Sequence, residues 1–282
     1  MKLYAKKSLG QHFLNSKHVL GQIIEAGKIQ SDENILEIGP GTGFLTEALL
    51  KTGANIVAVE KDKRAYDLLQ EKFSKEISFG KLKLIYGDIL DEKEFSNNSI
   101  VKLFNSLDKY SLIANIPYYI TGAILEKFLE HKPRPQKMVL LVQKEVADRI
   151  VARQDQSTRK SKESILSISV KVFGTPKIIA KVSPGSFTPP PSVDSAILSI
   201  ENISDKNFFE LLDTKPDVIS DFFKIVKAGF AHKRKILRRN MEDVVDKTSI
   251  EQIWDSLKLD QNVRAEDLKP SDWVDIIKII KK

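Results

Sequence analysis

The chain has 282 residues, 41% of them hydrophobic and 29% charged, enough to build a large core and more than one comfortable domain holds, so a large domain with a smaller companion is expected. It contains no cysteine, which excludes disulfides, thiolate metal sites and cysteine nucleophiles and favours a reducing compartment. The net charge of +7 points to a polyanionic partner.

In chain order, residues 1–24 carry Lys2, Lys6, Lys7 and Lys17 and no acid. This basic start lacks the apolar stretch and small-residue cleavage site of a secretory signal. From residue 34 to about 199, short β-rich runs alternate with longer helical periods. The strand candidates are 34–38, 55–59, 82–86, 110–114, 137–142, 177–182 and 196–200, with helical stretches at 44–51, 63–73 and 122–130 between the early ones. That alternation predicts an α/β fold: a Rossmann-like, doubly wound sheet of seven mostly parallel strands with helices on both faces. The longest apolar run, at 138–142, is far too short to span a bilayer, so a cytoplasmic protein without membrane contact is expected. The segment 153–162 is polar, alternates in charge and reads as a loop. From about residue 205 only helical periodicity remains: Phe222, Val226 and Phe230, then Leu237, Met241 and Val244, then Trp273, Ile276, Ile277 and Ile280. Pro270 opens the last helix, with Asp272 in its first turn. The expected domains are therefore 1–203 and a small all-helical 204–282.

The first strand runs into Glu37-Ile38-Gly39-Pro40-Gly41-Thr42-Gly43, which opens a helix. Glycines here permit a tight turn and let a ligand approach the backbone, making Gly39 and Gly41 candidate contacts. A dinucleotide fingerprint would want a third glycine at position 44, where Phe44 stands. The spacing Gly-x-Gly-x-Gly is more usual where the ligand carries no pyrophosphate. Glu60, about twenty residues on at the end of the second strand, can bind both ribose hydroxyls. Asp88, after the third strand, is placed to take a hydrogen bond from an adenine amine. Acids beside a glycine turn suit a cationic ligand, and S-adenosylmethionine is a sulfonium. No Gly-x-x-x-x-Gly-Lys-Ser/Thr loop exists, which removes the simplest nucleotide-hydrolase reading. A purely structural βα turn is the alternative.

Asn115-Ile116-Pro117-Tyr118 follows the apolar run 112–114, just past the carboxyl end of a strand, where α/β enzymes place their sites. The Asn115 side-chain oxygen and the Ile116 carbonyl can both accept from an exocyclic NH2. Pro117 fixes that carbonyl's direction and brings no competing N–H, and Tyr118 can stack on the ring. The alternative is a Pro-aromatic turn closing a core strand. No strong base is evident among His12, His18, His131 and His232.

Residues 222–241 carry Lys224, Lys227, Lys233, Arg234, Lys235, Arg238 and Arg239 with no acid. On a helix around 233–239, Ile236, Leu237 and Met241 would form an apolar stripe. Arg234 with Arg238 and Lys235 with Arg239 would stack at i, i+4 on a basic one. Crowded like charges favour RNA phosphate binding over a solvated face.

Taken together, these residues make the chain resemble the ribosomal RNA small-subunit adenine dimethyltransferases of the KsgA type. The resemblance runs nearly end to end. It begins with Lys7-Ser8-Leu9-Gly10-Gln11-His12-Phe13-Leu14 and continues through 37–43, 115–120 and Gln143-Lys144-Glu145-Val146-Ala147. It ends with Phe187-Thr188-Pro189-Pro190-Pro191-Ser192-Val193-Asp194-Ser195-Ala196 and Lys233-Arg234-Lys235-Ile236-Leu237-Arg238. It implies S-adenosylmethionine as cofactor, held by His12, Leu14, Gly39, Glu60, Asp88 and Asn115, and no metal. It implies Phe187 as a second aromatic of the base pocket, opposite Tyr118; without the resemblance Phe187 reads as a core residue before a proline turn. The substrate it implies is small-subunit rRNA in an assembly intermediate. Dimethylation would fall on two adjacent adenines near the 3′ end, carried out by a monomer, with Lys6, Lys7, Lys233, Arg234, Lys235, Arg238 and Arg239 on RNA phosphates. His12 stands where many relatives have Asn, and Ser192 where Lys is common. Competing readings are the large-subunit enzyme of the macrolide-resistance type and an assembly factor with secondary catalysis.

Overall fold

A computed structural model of the chain describes residues 3–91, 109–151, 162–212, 215, 217–232 and 234–281. It divides into two compact units, one of Met1–Ala147 with Pro176–Ile203 and one of Asp148–Thr175 with Ser204–Lys282.

The strands in chain order are β1 (Phe13–Leu14), β2 (Asn34–Ile38), β3 (Asn55–Glu60), β4 (Leu82–Tyr86), β5 (Ser111–Asn115), β6 (Lys137–Gln143), β7 (Thr175–Val182), β8 (Phe187–Thr188) and β9 (Ser195–Glu201). Seven of them form one sheet in the order β4-β3-β2-β5-β6-β9-β7. β2, β3, β4, β5 and β6 pair in parallel, whereas β9 runs antiparallel to β6 from Met138↔Ile200 to Gln143↔Ser195. The central strands are buried along almost their whole length, as their near-continuous apolar runs require when both faces of a parallel sheet are covered. The two edges differ: β4 carries exposed Lys83, and β7 alternates exposed and half-buried residues with Lys177 and Lys181 outward. Edge cations of this kind discourage pairing with another chain.

Helices Lys17–Gly27, Phe44–Leu50 and Lys63–Lys72 pack on this sheet. The first is capped by Ser16, whose side chain accepts from the Val19 amide, and buries Val19, Ile23 and Ala26 on one stripe. These join Ile35, Leu45, Leu49, Ile56 and Phe73 in the core. Strand order reverses beside β2, whose neighbours are β3 and β5, and the crevice beyond the carboxyl ends at such a point is where α/β folds bind ligands.

All seven expected strands are present, two with the expected bounds (34–38 and 82–86) and the rest shifted by one or two residues. The two-stranded β1–β8 ribbon, with Phe13↔Thr188 and Leu14↔Phe187, is not foreshadowed by the sequence pattern. Asn15 reinforces it through its amide to the Ser186 carbonyl (2.9 Å) and its side chain to the Thr188 hydroxyl (2.6 Å). Two residues per strand give no legible alternation.

The second unit is helical. Residues 148–175, expected in the first domain, belong to it, and the reason is aromatic packing. Phe173, at the end of helix Ile165–Phe173, lies 5.5 Å from Phe208 and 5.9 Å from Phe223, measured between ring centroids. Helix Pro270–Ile280 starts where the sequence places it, and Asp272 accepts from the Lys269 amide at 2.8 Å. Among the described residues no helix is long and apolar enough to cross a membrane.

Candidate active site

The first unit contains a cavity lined by residues 9–13, 38, 39, 41, 59–62, 87–90 and 115–120. Each follows a strand's carboxyl end except the N-terminal segment, which β1 anchors. Gly39, Gly41, Glu60, Asp88, Asn115, Ile116, Pro117, Tyr118 and His12 are all on its wall. Gly39 adopts φ +65°, and a Cβ built there would meet nothing within 4 Å. The cavity-facing side of this turn is thus open to close approach by a ligand.

Glu60 stands at the end of β3, nearly buried. One carboxylate oxygen accepts from the Gly41 amide (2.9 Å), the other from the Asp62 amide (2.7 Å). Burial pushes its pKa up, against the pull of those two amides. Each oxygen keeps a further lone pair for ligand hydroxyls. Asp88 pairs with Lys61 (2.5 Å) and accepts from the Leu90 amide (2.9 Å). Burial alone would raise its pKa, but these two partners hold it below the usual value.

Asp62 also lines the cavity, although the sequence reading does not single it out. It caps helix Lys63–Lys72 and takes Arg64 in a two-point contact (3.1 and 2.6 Å) together with the Gln11 amide (3.1 Å). The Arg64 guanidinium holds its carboxyl low. An Asp directly before a helical period was the available signal. Three carboxylates around an open glycine turn, two of them already paired with Lys61 and Arg64, offer acceptors to a hydroxyl- and amine-bearing ligand such as S-adenosylmethionine. Glu60 would hold its ribose, Asp88 its adenine amine and the Gly39–Gly41 backbone would lie against it.

Asn115 ends β5. Its Nδ2 donates to the His12 carbonyl at 3.1 Å, which fixes the amide's orientation and leaves Oδ1 as an acceptor with no protein donor among the described residues. Pro117 (φ −56°) then turns the chain into a 3-10 helix, Tyr118–Ile120. Tyr118 is half-buried and shares a hydrogen bond with Ser195 (2.6 Å); burial raises its hydroxyl pKa.

The expected aromatic sandwich is different in kind. Phe187 is 3% exposed, packs in the core with Leu14 and Val182, and is not on the cavity wall. Pairing of β8 with β1 turns it inward, so the core reading describes its position. Leu14 is likewise core and off the wall. The ring facing Tyr118 is that of His12, with centroids 5.8 Å apart and planes at 18°. A base between two rings needs about 7 Å, two stacking spacings, so none fits between these. His12 Nδ1 lies 2.8 Å from the Pro189 carbonyl, and since a carbonyl only accepts, Nδ1 carries the proton.

The basic residues are also arranged otherwise than expected. The helix in this region is Leu237–Met241 and begins after Arg234 and Lys235, with Ile236 extended at its N-cap. The Leu237 amide is taken by the Val263 carbonyl, and Asn240 Nδ2 holds the carbonyls of Gly229 and His232. These bonds fix residues 234–236 outside the helix, so the i, i+4 basic stripe does not form. Arg238 is paired with Glu251 and lies over the Trp254 ring at 5.7 Å. Arg234, Lys235 and Arg239 are exposed without an ion pair among the described residues. Lys6 is 4.0 Å from Asp62. Lys233 lies outside the described residues, as does most of 153–162.

A Rossmann-like sheet with this cavity at its switch point defines an S-adenosylmethionine-dependent methyltransferase. Comparison with known proteins narrows the class. Residues 2–282 match the family model described as ribosomal RNA adenine dimethylase. Proteins named ribosomal RNA small subunit methyltransferase A are similar throughout. That of Dehalococcoides mccartyi is 38% identical, covering 96% of this chain and 87% of its own, and that of Fusobacterium nucleatum is 34% identical, covering 100% and 99%. Among solved structures, a dimethyladenosine transferase from Plasmodium falciparum superposes with a TM-score of 0.71 at 25% identity, covering 94% of this chain and 96% of its own. The 23S rRNA methyltransferase ErmE shares the fold, with a TM-score of 0.65 at 20% identity, covering 96% and 100%. The chain belongs to the ribosomal RNA adenine dimethylase family; it is an rRNA adenine dimethyltransferase that uses S-adenosylmethionine.

Proposed function

We propose that this enzyme places two methyl groups on the exocyclic N6 of each of two adjacent adenines near the 3′ end of small-subunit rRNA, acting as a cytoplasmic monomer during small-subunit assembly. The names and near-complete coverage of its relatives support the choice of subunit. The observation that carries the chemistry is the Asn115 amide, tethered through Nδ2 to the His12 carbonyl with Oδ1 left to accept.

When bound, S-adenosylmethionine supplies an electrophilic methyl carbon on a sulfonium. The protein's task is to make a poor nucleophile attack it, since the adenine amine's lone pair is delocalised into the ring. Oδ1 of Asn115 accepts one amine proton and the Ile116 carbonyl the other. Both bonds strengthen as the nitrogen becomes pyramidal and positive, so they favour the transition state over the ground state; the N–C bond forms as the C–S bond breaks, a neutral thioether leaves, and the nitrogen then gives one proton to solvent. Tyr118 supplies to the base the ring face turned away from His12, and the base has to leave its stack to arrive there. Glu60, Asp62 and Asp88 offer acceptors on the donor side, Asp62 and Asp88 with Arg64 and Lys61 already against them.

The test is methyl transfer to purified small and large ribosomal subunits, followed by mass spectrometry of the rRNA. Dimethyladenosine near the 3′ end of the small-subunit rRNA alone is expected. Transfer confined to the large subunit would overturn the assignment.

A further inference from the structure

We propose that Tyr119 is the stacking platform for the nucleobase next to the target adenine, an inference that rests on the adenine-methylating reading of the cavity. Tyr118 and Tyr119 are neighbours on one 3-10 turn, yet the fold treats them oppositely. Tyr118 is tied to Ser195 and faces His12. Tyr119 is 65% exposed although it lines the same cavity, which places its ring at the mouth.

A single exposed aromatic is ordinary on a protein surface, but this one is backed. Gly10 lies against it with φ +59°, and a Cβ at that position would come within 3.1 Å of both Cδ1 and Cε1 of the ring. Glycine is favoured there by the left-handed backbone, and its missing Cβ lets the ring lie close. The N-terminal segment thus supports one side of Tyr119 and leaves the rest to solvent. Tyr4 and Phe79, also strongly exposed, line no part of the cavity.

A supported, solvent-facing ring beside a base pocket is how proteins hold single-stranded nucleic acid, because every base offers a π-face. When the target adenine leaves its stack, its neighbour loses a stacking partner, and Tyr119 replaces it. Such a platform reads single-strandedness rather than base identity. It lowers KM for RNA without touching the methyl donor.

The experiment measures methylation kinetics on a short RNA carrying the target adenines, intact or with an abasic site beside them. It uses the wild type, Tyr119→Ala and Tyr119→Phe. Losing a base–aromatic stack with Tyr119→Ala should raise KM for intact RNA by roughly ten-fold. Tyr119→Phe keeps the ring and should restore KM to within about two-fold. Calorimetric affinity for S-adenosylmethionine without RNA should be the same in all three. The abasic RNA should raise the wild-type KM to the Tyr119→Ala level and add nothing further to that variant. An active wild type matched by Tyr119→Ala on intact RNA overturns this inference alone, as does an abasic penalty that persists in full in Tyr119→Ala. A wild type that methylates no RNA adenine overturns the active-site reading and this inference with it.

Discussion

The turn at 115–118 and the basic segment at 234–239 both gather polar groups at the end of an element, but the fold leaves them in opposite conditions. At the turn, one half of the Asn115 amide is consumed by the His12 carbonyl, while the other half, on a residue of the cavity wall, has no protein donor among the described residues. In the basic segment, Arg238 is already engaged: its guanidinium donates to Glu251 and lies over the face of Trp254. Its neighbours Arg234, Lys235 and Arg239 stay exposed. A polar group serves function where folding leaves it a defined remainder; held by a charged partner and an aromatic face, it serves stability.

The largest test of that contrast is Asn115→Ala. Losing an acceptor that acts mainly in the transition state costs roughly 100- to 1000-fold in kcat. RNA binding by gel shift should survive. Single-turnover transfer within about ten-fold of wild type would break the claim that the remaining amide oxygen does chemistry.

Glu37, beneath the glycine turn, is a group satisfied too little. It is 1% exposed, one carboxylate oxygen has no partner, and burial pushes its pKa up to about 8. Its folded pKa is raised above its ordinary value of 4.5. Its contribution to stability is therefore full below about pH 4.5 and is lost as pH rises towards 8, because the unfolded carboxyl releases its proton first. The loss amounts to about 3 kcal/mol by roughly pH 7. Urea melts of the wild type between about pH 5 and 8 should show this fall, and Glu37→Gln should flatten it. An equal slope in the variant would mean that Glu37 is ionised in the folded protein.

Glu60 lies between these extremes, with one amide on each oxygen and room for more. Glu60→Gln sets an NH2 against one of those N–H groups and weakens the hold on ribose hydroxyls. Calorimetry should show S-adenosylmethionine bound about ten-fold more weakly. Unchanged affinity would assign Glu60 to the loop's architecture alone.

Much of the sheet and of this cavity was legible because strands and their carboxyl-end residues are local in sequence. Once β2, β3, β4 and β5 are located, Gly39, Glu60, Asp88 and Asn115 follow as the residues at or just past their ends. What escaped was set by pairing between distant segments. The β1–β8 ribbon joins Phe13 and Leu14 to Thr188 and Phe187, far along the chain and with only two residues a side. It turns Phe187 toward the core and brings His12 beside Tyr118, where the Pro189 carbonyl and the Asn115 side chain hold it. The packing of Phe173 on Phe208 and Phe223 likewise assigns 148–175 to the second unit. Helix periodicity misled at 233–239, where apolar spacing suited a helix but the amide of Leu237 and the side chain of Asn240 were already committed to carbonyls elsewhere.

The basic segment offers the smallest effects and the sharpest contrast within one stretch of chain. The absence of acids between residues 222 and 241 suggested uniformly available cations, yet Glu251 reaches Arg238 from the next helix, Lys247–Leu257. Replacing Arg234 and Lys235 by Ala should weaken RNA binding and reduce its log–log salt slope by roughly 0.7–0.9 for each phosphate no longer neutralised. Arg238→Ala should leave that slope alone and lower stability by about 1 kcal/mol, the order expected of a partly exposed ion pair with a cation–π interaction. If the salt slope fell with Arg238→Ala and stayed constant with the double variant, the division between committed and free cations would be reversed. Arg234 and Lys235 would then be solvated surface, and Arg238 would exchange Glu251 for phosphate on binding.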